Sequence, residues 1–160
     1  MSFIPDPIML PMPKVPYFED SQAHQVAGRA TTKTLARLQG EVTDALARLG
    51  ASSIQFVPGI YDGDRRRYGF QVRFFYGPVP GRIDCAALPL RRETAIKKDR
   101  ALAQALYLLR MELEAAANAA LYKPGSIPLV PYLIGSTGQT VTEALIASQA
   151  LPPTLGDGVK

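Results

Sequence analysis

The chain has 160 residues, of which 47% are hydrophobic and 20% are charged, and its formal net charge is +4. This composition is typical of one soluble globular domain with enough mass to bury a core. A single cysteine, Cys85, and the lack of any Cys/His cluster exclude an internal disulfide and a structural zinc site, so we expect a cytoplasmic protein stabilised by packing.

Proline positions divide the chain into parts. Five prolines fall within residues 1–16 and five within 124–153. Because proline lacks a backbone N–H and blocks helix, residues 1–20 are predicted to form an extended apolar arm, which needs a surface on its own domain or on another subunit. The arm lacks a charged leader followed by an unbroken apolar run, so we expect neither secretion nor membrane insertion.

A first helix is predicted over residues 31–49. Apolar residues recur there at steps of three and four, which forms one apolar stripe. The stripe consists of Leu35, Leu38, Val42, Ala45, Leu46 and Leu49. Thr31 or Thr32 is the expected N-cap, and Gly50 stands where a helix commonly stops.

Three strands are predicted next, at about 53–61, 66–76 and 82–88. Asp62-Gly63 and Gly77-Pro78 supply the turn chemistry between them, which indicates an antiparallel meander. Successive side chains of a strand alternate between its two faces, so the middle strand is predicted to have an apolar core face and a basic outer face. The core face carries Tyr68, Phe70, Val72 and Phe74, and the outer face carries Arg67, Gly69, Gln71, Arg73 and Phe75.

A long second helix is predicted from about 92 to 122, with leucines and alanines at steps of four and three. An extended piece at 127–134, a turn at 135–138 and a short helix at about 140–148 are expected after it. The order predicts an α+β fold: a helix, a three-stranded antiparallel meander and a long helix, with a proline-rich N-terminal arm and a C-terminal annex. The expected organisation is an arm at 1–20, a core domain at 21–123 and an extension at 124–160 that packs on the core or on a partner.

Positive charge is concentrated in the middle of the sequence. Residues 65–100 hold ten lysines and arginines against three acids, whereas the remainder holds eight basic and eleven acidic residues. Five of the ten bases lie at or just before the start of the long helix, where the helix dipole favours acids, so the fold alone does not call for them. Such a basic stripe is typical of a site for a polyanion. The candidate nucleic-acid-binding residues are Arg65, Arg66, Arg67, Arg73, Phe75, Arg82, Arg91, Arg92, Lys97, Lys98 and Arg100.

The order helix, three strands and helix, with Lys97-Lys98 entering the last helix, resembles a double-stranded RNA-binding domain over about 90 residues. In that family the corresponding lysines contact phosphates across a groove, which the resemblance implies for Lys97 and Lys98. Arg100 and Ala101 reverse the family's small-then-basic order, and the loop between the first two strands lacks its minor-groove motif. The resemblance is therefore one of topology.

Three classes of function follow from these patterns. The first is a non-catalytic DNA- or RNA-binding protein or accessory subunit, with Phe75 or Tyr76 available for stacking and no cofactor. The second is an assembly subunit that docks a protein partner or a second copy through residues 1–20 and the long helix.

The third class is a Mg²⁺-dependent nuclease. Its candidate carboxylate ligands are Asp62, Asp64, Asp84 and Glu93. The residue inventory favours a protein that is not an enzyme, because the lone His24 has no evident partner and Cys85 is expected to be an inert core thiol.

Overall fold

The computed structural model describes residues 15–22 and 26–148. Six regular elements follow one another, with one short 3-10 turn before them, Phe18–Asp20, and a second between the last two helices, Val130–Tyr132. The elements are α1 (Leu35–Arg48), β1 (Ala51–Tyr61), β2 (Arg67–Tyr76), β3 (Val79–Ala86), α2 (Ala95–Ala120) and α3 (Val141–Ala147). This order confirms the α+β class, with a helix, three strands and a long helix.

The three strands form one antiparallel sheet in the order β1-β2-β3. β2 and β3 are joined by a two-residue turn, since Tyr76 pairs with Val79. Gly77 has a φ of +58°, which glycine adopts at little cost and which suits a tight hairpin turn before Pro78. The register of β1 against β2 shifts between Ser52 and Gln55, at a bulge where Ser53 has a φ of 53°.

Both long helices cover one face of the sheet. α1 packs against β1 and α2, while α2 also contacts β2 and β3. Phe70, Val72 and Phe74 of β2 point into this layer and are buried there with leucines of both helices. The opposite face is here called the outer face, and it carries the side chains of Arg67, Gln71, Arg73 and Phe75. The predicted apolar face of β2 is confirmed for Phe70, Val72 and Phe74. The face predicted to be basic also contains Arg67 and Gln71, which are both buried.

The first helix begins later than the sequence pattern predicts. Its N-cap is Thr34, whose side-chain oxygen accepts a hydrogen bond from the N–H of Arg37 at 3.2 Å. The expected caps Thr31 and Thr32 are therefore wrong, because α1 starts at Leu35, where the apolar stripe itself begins. Gly50 follows the helix with a φ of +99°, in agreement with a stop signal.

α2 is shorter than the predicted span of 92–122. Its N-cap is Thr94, which accepts from the N–H of Lys97 at 3.2 Å, and its 26 residues extend for about 39 Å. Residues 92–94 stay outside the helix because Thr94 is extended and caps the first turn. No helix among the described residues is long and apolar enough to cross a membrane.

The C-terminal extension packs on the core as far as residue 148. Leu129 is fully buried, Leu133 forms an antiparallel bridge with Gly81, and the N–H of Ile134 donates to the Pro80 carbonyl at 2.8 Å. α3 begins with a capping box between Thr140 and Glu143. The piece predicted to be extended contains a 3-10 turn at Val130–Tyr132, with proline at its start.

The predicted arm is described only from residue 15, and residues 1–14 lie outside the described part of the chain. Phe18 is buried in the core, and its N–H donates to the Pro89 carbonyl at 2.8 Å. Ser21 is also buried, with its hydroxyl on the Phe18 carbonyl at 2.7 Å. Residues 15–22 thus lie against their own domain, next to the loop that leads into α2.

Candidate functional site

The N-terminus of α2 is positively charged both by its side chains and by its backbone. Its first turn contains Lys97 and Lys98 and no acidic residue. Unpaired N–H groups and the helix dipole add partial positive charge at this end. An anion at this position would therefore be attracted both by the side chains and by the backbone.

Tyr68, near the start of β2, holds two cations beside this helix end. The Lys98 ammonium lies 4.4 Å from the centroid of its ring, and the Arg66 guanidinium carbon lies 5.2 Å from it. The Tyr68 hydroxyl donates to Glu93 at 2.8 Å, and this hydrogen bond raises the pKa of Tyr68. Cation–π contacts thus fix the positions of Arg66 and Lys98 at the surface.

Tyr17 joins a second pair of cations from two different loops. The guanidinium carbons of Arg65 and Arg91 lie 4.7 Å and 4.8 Å from its ring centroid. Arg65 follows β1, whereas Arg91 precedes α2, so a residue of the N-terminal segment brings the two loops together. Arg65 also donates to the Val15 carbonyl.

We call the six basic residues at this end of α2 the entrance cluster. Its members are Arg65, Arg66, Arg91, Arg92, Lys97 and Lys98. Two carboxylates pair with part of it: Asp20 binds Arg91, and Glu19 lies 3.3 Å from the Lys97 ammonium. In the described part of the chain, no carboxylate forms an ion pair with the other four cations.

Two predicted site residues next to the entrance cluster make internal contacts instead. Arg67 is buried on the outer face, and its guanidinium donates to the carbonyls of Ala87 and Ala86 at 2.7 Å and 3.0 Å. Arg100 donates to the Thr31 carbonyl at 2.7 Å, which directs it toward the segment before α1. Both arginines tie parts of the fold together.

Arg73, Arg82 and Phe75 lie on the outer face, away from α1 and α2. Arg73 donates to the Gln71 amide oxygen at 2.8 Å, and Arg82 forms ion pairs with Asp84 at 3.1 Å and with Glu143. The Phe75 side chain is 44% exposed. Arg73 lies about 16 Å further along β2 than Tyr68, so these three residues do not join the entrance cluster.

The carboxylates considered as metal ligands are distributed over different surfaces. Asp84 accepts from Tyr61 at 2.8 Å and from Gln71 at 3.2 Å on the outer face, whereas Glu93 accepts from Tyr68 at the entrance of α2. Within residues 15–22 and 26–148, no three His, Cys, Asp or Glu side chains lie together as a metal site.

The other two candidate chemical groups have different outcomes. His24 lies outside the described residues. Burial raises the pKa of the Cys85 thiol to about 12, and its Sγ points to the Ala105 carbonyl at 3.6 Å. A thiol in this environment stays protonated at neutral pH and is a poor nucleophile.

Tyr17, Glu19 and Tyr68 organise the entrance cluster but were not among the predicted site residues. Tyr68 carries a usable signal, because it lies two residues after Arg66 and alternation places both on one side of the strand. Tyr17 and Glu19 carry none, because each is more than 70 residues away in sequence from Arg91.

No known family model matches the chain, and neither the curated proteins nor the solved structures contain a match to it. The arrangement of charge around the α2 entrance is therefore the observation from which a function is inferred.

Proposed function

We propose that this chain is a non-catalytic nucleic-acid-binding protein, or an accessory subunit of a nucleoprotein complex, that holds a phosphate backbone through the entrance cluster. The observation that carries the proposal is the set of four cations around the N-terminus of α2 that form no ion pair with a carboxylate of the described residues. Arg65, Arg66 and Lys98 also lie against tyrosine rings, which limits their motion.

Crowded cations repel one another, and a helix N-terminus adds to this repulsion. Acidic residues in a first helical turn would stabilise the fold more than basic residues do, yet the first turn of α2 has none. A bound polyanion relieves the repulsion, because phosphates accept hydrogen bonds from arginine, lysine and free backbone N–H groups together. The residues thus suit an anionic partner better than they suit the isolated fold.

The proposed contact is with phosphates more than with bases. The rings of Tyr17 and Tyr68 carry cations on their faces, so they support charge instead of offering a stacking surface. Arg73, Arg82 and Phe75 lie on the outer face and are left out of the proposed contact. We therefore expect binding that depends strongly on salt and weakly on sequence.

A salt titration with single- and double-stranded DNA and RNA tests the proposal. With four or five phosphate contacts, affinity for duplex DNA should fall with a log–log slope of about −4. The double variant Arg66→Ala/Lys98→Ala should bind more weakly and reduce the steepness of this slope by about 2, because two phosphate contacts are lost.

The matched control is Arg48→Ala/Lys123→Ala. It removes the same charge near the C-terminal end of α2, about 30 Å from the entrance cluster, and should leave the slope unchanged. Equal losses in both double variants would show that only net charge matters, and an absence of binding at low salt to all four nucleic acids would contradict the proposal.

Exposed apolar residues beyond α2 favour a second candidate, an assembly subunit that binds a protein partner or a second copy of the chain. Leu121 and Tyr122 are 80% and 86% exposed, and Ile127 and Val130 nearby are also exposed. Light scattering on the same samples separates the candidates, because a stable homo-oligomer without nucleic-acid binding supports only the second.

Both proposals place the protein in the cytoplasm, since its single cysteine suits a reducing compartment.

A further inference from the structure

Three donors at the α2 entrance bind the carboxylate of Glu19, which belongs to the N-terminal segment. Its two oxygens accept separately from two consecutive backbone N–H groups, those of Arg91 at 3.1 Å and Arg92 at 3.0 Å. The oxygen bound by Arg92 also lies 3.3 Å from the Lys97 ammonium. The two N–H donors belong to the loop before α2, and Lys97 belongs to its first turn.

This set of donors suits any oxyanion. Consecutive backbone N–H groups that converge on one point form an anion-binding concavity, and an ammonium group adds charge. Burial alone would raise the pKa of Glu19, but the hydrogen bonds from Arg92 and Arg91 lower it to about 2. The donors therefore favour a full negative charge at this point, which a phosphate group also supplies.

The donors lie at the surface, and the carboxylate is not what anchors its segment. The side chain of Glu19 is 18% exposed and that of Lys97 is 36% exposed, so solvent reaches the contact. The segment is held by Phe18, which is buried and donates to the Pro89 carbonyl, and by the buried Ser21. A rotation of the Glu19 side chain can therefore vacate the donors while the backbone stays in place.

We propose that the N–H groups of Arg91 and Arg92 and the Lys97 ammonium form a phosphate site that the Glu19 carboxylate occupies in the unbound protein. A phosphate of a bound strand displaces Glu19 and takes over its hydrogen bonds. The site itself stands on the geometry of the donors. Its assignment to a nucleic-acid phosphate rests on the proposed function.

The first test uses inorganic phosphate and the variant Glu19→Ala. Phosphate should shift the amide resonances of Arg91 and Arg92 in a saturable way, with an affinity at least about tenfold higher than in the unchanged protein, where the carboxylate competes. Asp20→Ala, which removes a neighbouring acid that does not touch these N–H groups, should not reproduce this gain. The proposed site would be overturned if phosphate shifted these amide resonances equally in Glu19→Ala and in the unchanged protein.

The second test uses Glu19→Gln, which keeps one acceptor oxygen and so protects the local structure. Its affinity for nucleic acid should rise by about tenfold, and its salt slope should become steeper by about 1, because one more cation is free to meet a phosphate. Glu93→Gln is the matched control, since it removes a charge from the same surface without freeing the N–H groups, and it should give less than about a third of this gain.

The two tests separate the site from the proposed function. Phosphate binding by Glu19→Ala without nucleic-acid binding by any variant would support the site and contradict the proposed function. Nucleic-acid binding that Glu19→Gln and Glu93→Gln strengthen equally would contradict the site, because charge alone would then explain the gain.

Discussion

Three consecutive arginines meet three different environments, although they have the same charge and the same length. Arg65 stacks on Tyr17, Arg66 stacks on Tyr68, and Arg67 lies buried on the outer face with its guanidinium on two carbonyls. Alternation along a strand separates Arg66 from Arg67, so charge alone does not reveal which arginine is free to bind a partner. Burial of the guanidinium lowers the pKa of Arg67.

The variants Arg66→Met and Arg67→Met should affect different properties, since the first should weaken binding and the second should lower stability. Arg67→Met should lower the free energy of unfolding by about 2 kcal/mol, because the Ala86 and Ala87 carbonyls lose their donors, and should leave nucleic-acid affinity unchanged while the protein is folded. Arg66→Met should change stability by less than about 0.5 kcal/mol and weaken binding. Urea unfolding and the salt titration measure the two effects, and a loss of affinity in Arg67→Met would contradict this division.

Among the secondary-structure elements, the helix starts are decided by single capping side chains. The spacing of its apolar stripe predicts α1, but the expected caps are Thr31 and Thr32, whereas the structure places the cap at Thr34. Similarly, the predicted span of α2 begins at about 92, whereas the helix begins at Ala95, after its cap Thr94. Periodicity predicts that a helix exists, whereas the hydrogen bond of one hydroxyl decides where it begins.

Thr34→Ala should therefore destabilise the protein by about 1 kcal/mol, since the N–H of Arg37 loses its acceptor. Thr32→Ala is the matched control, because Thr32 is exposed and precedes the helix, and its effect should be near zero. Urea unfolding at neutral pH measures both. A larger loss of stability for Thr32→Ala than for Thr34→Ala would show that Thr34 is not the cap of α1.

At the scale of the whole molecule, the basic stretch 65–100 is divided among several surfaces. The class of fold, the sheet order and the two faces of β2 follow from periodicity, turn residues and alternation, so all three were predictable from the sequence. The division of the charges was not, because it depends on which acids approach from distant parts of the chain. Glu19 reaches the loop before α2, and Glu143 reaches Arg82 from α3.

The long-range contact of Glu19 should make stability depend on acid. Because the pKa of Glu19 is about 2 in the folded protein and its ordinary value is 4.5, the stabilisation is complete above about pH 4.5 and is lost as pH falls through about 2. We expect about 1 to 2 kcal/mol after screening by solvent. Unfolding of the unchanged protein and of Glu19→Gln should differ at pH 6 to 7 by about this amount and converge toward about pH 2. Asp20 is present in both proteins, so a constant difference across this range would contradict the assignment.

The bulge in β1 and the bridge between Leu133 and Gly81 have a consequence for self-association through strand pairing. β3 is partly covered at one margin of the sheet by residues 133 and 134. β1 forms the other margin, where Pro58 cannot donate a hydrogen bond and the bulge at Ser53 disturbs a regular ladder. A flat, continuous template for amyloid-like growth is thus interrupted at both margins of this sheet.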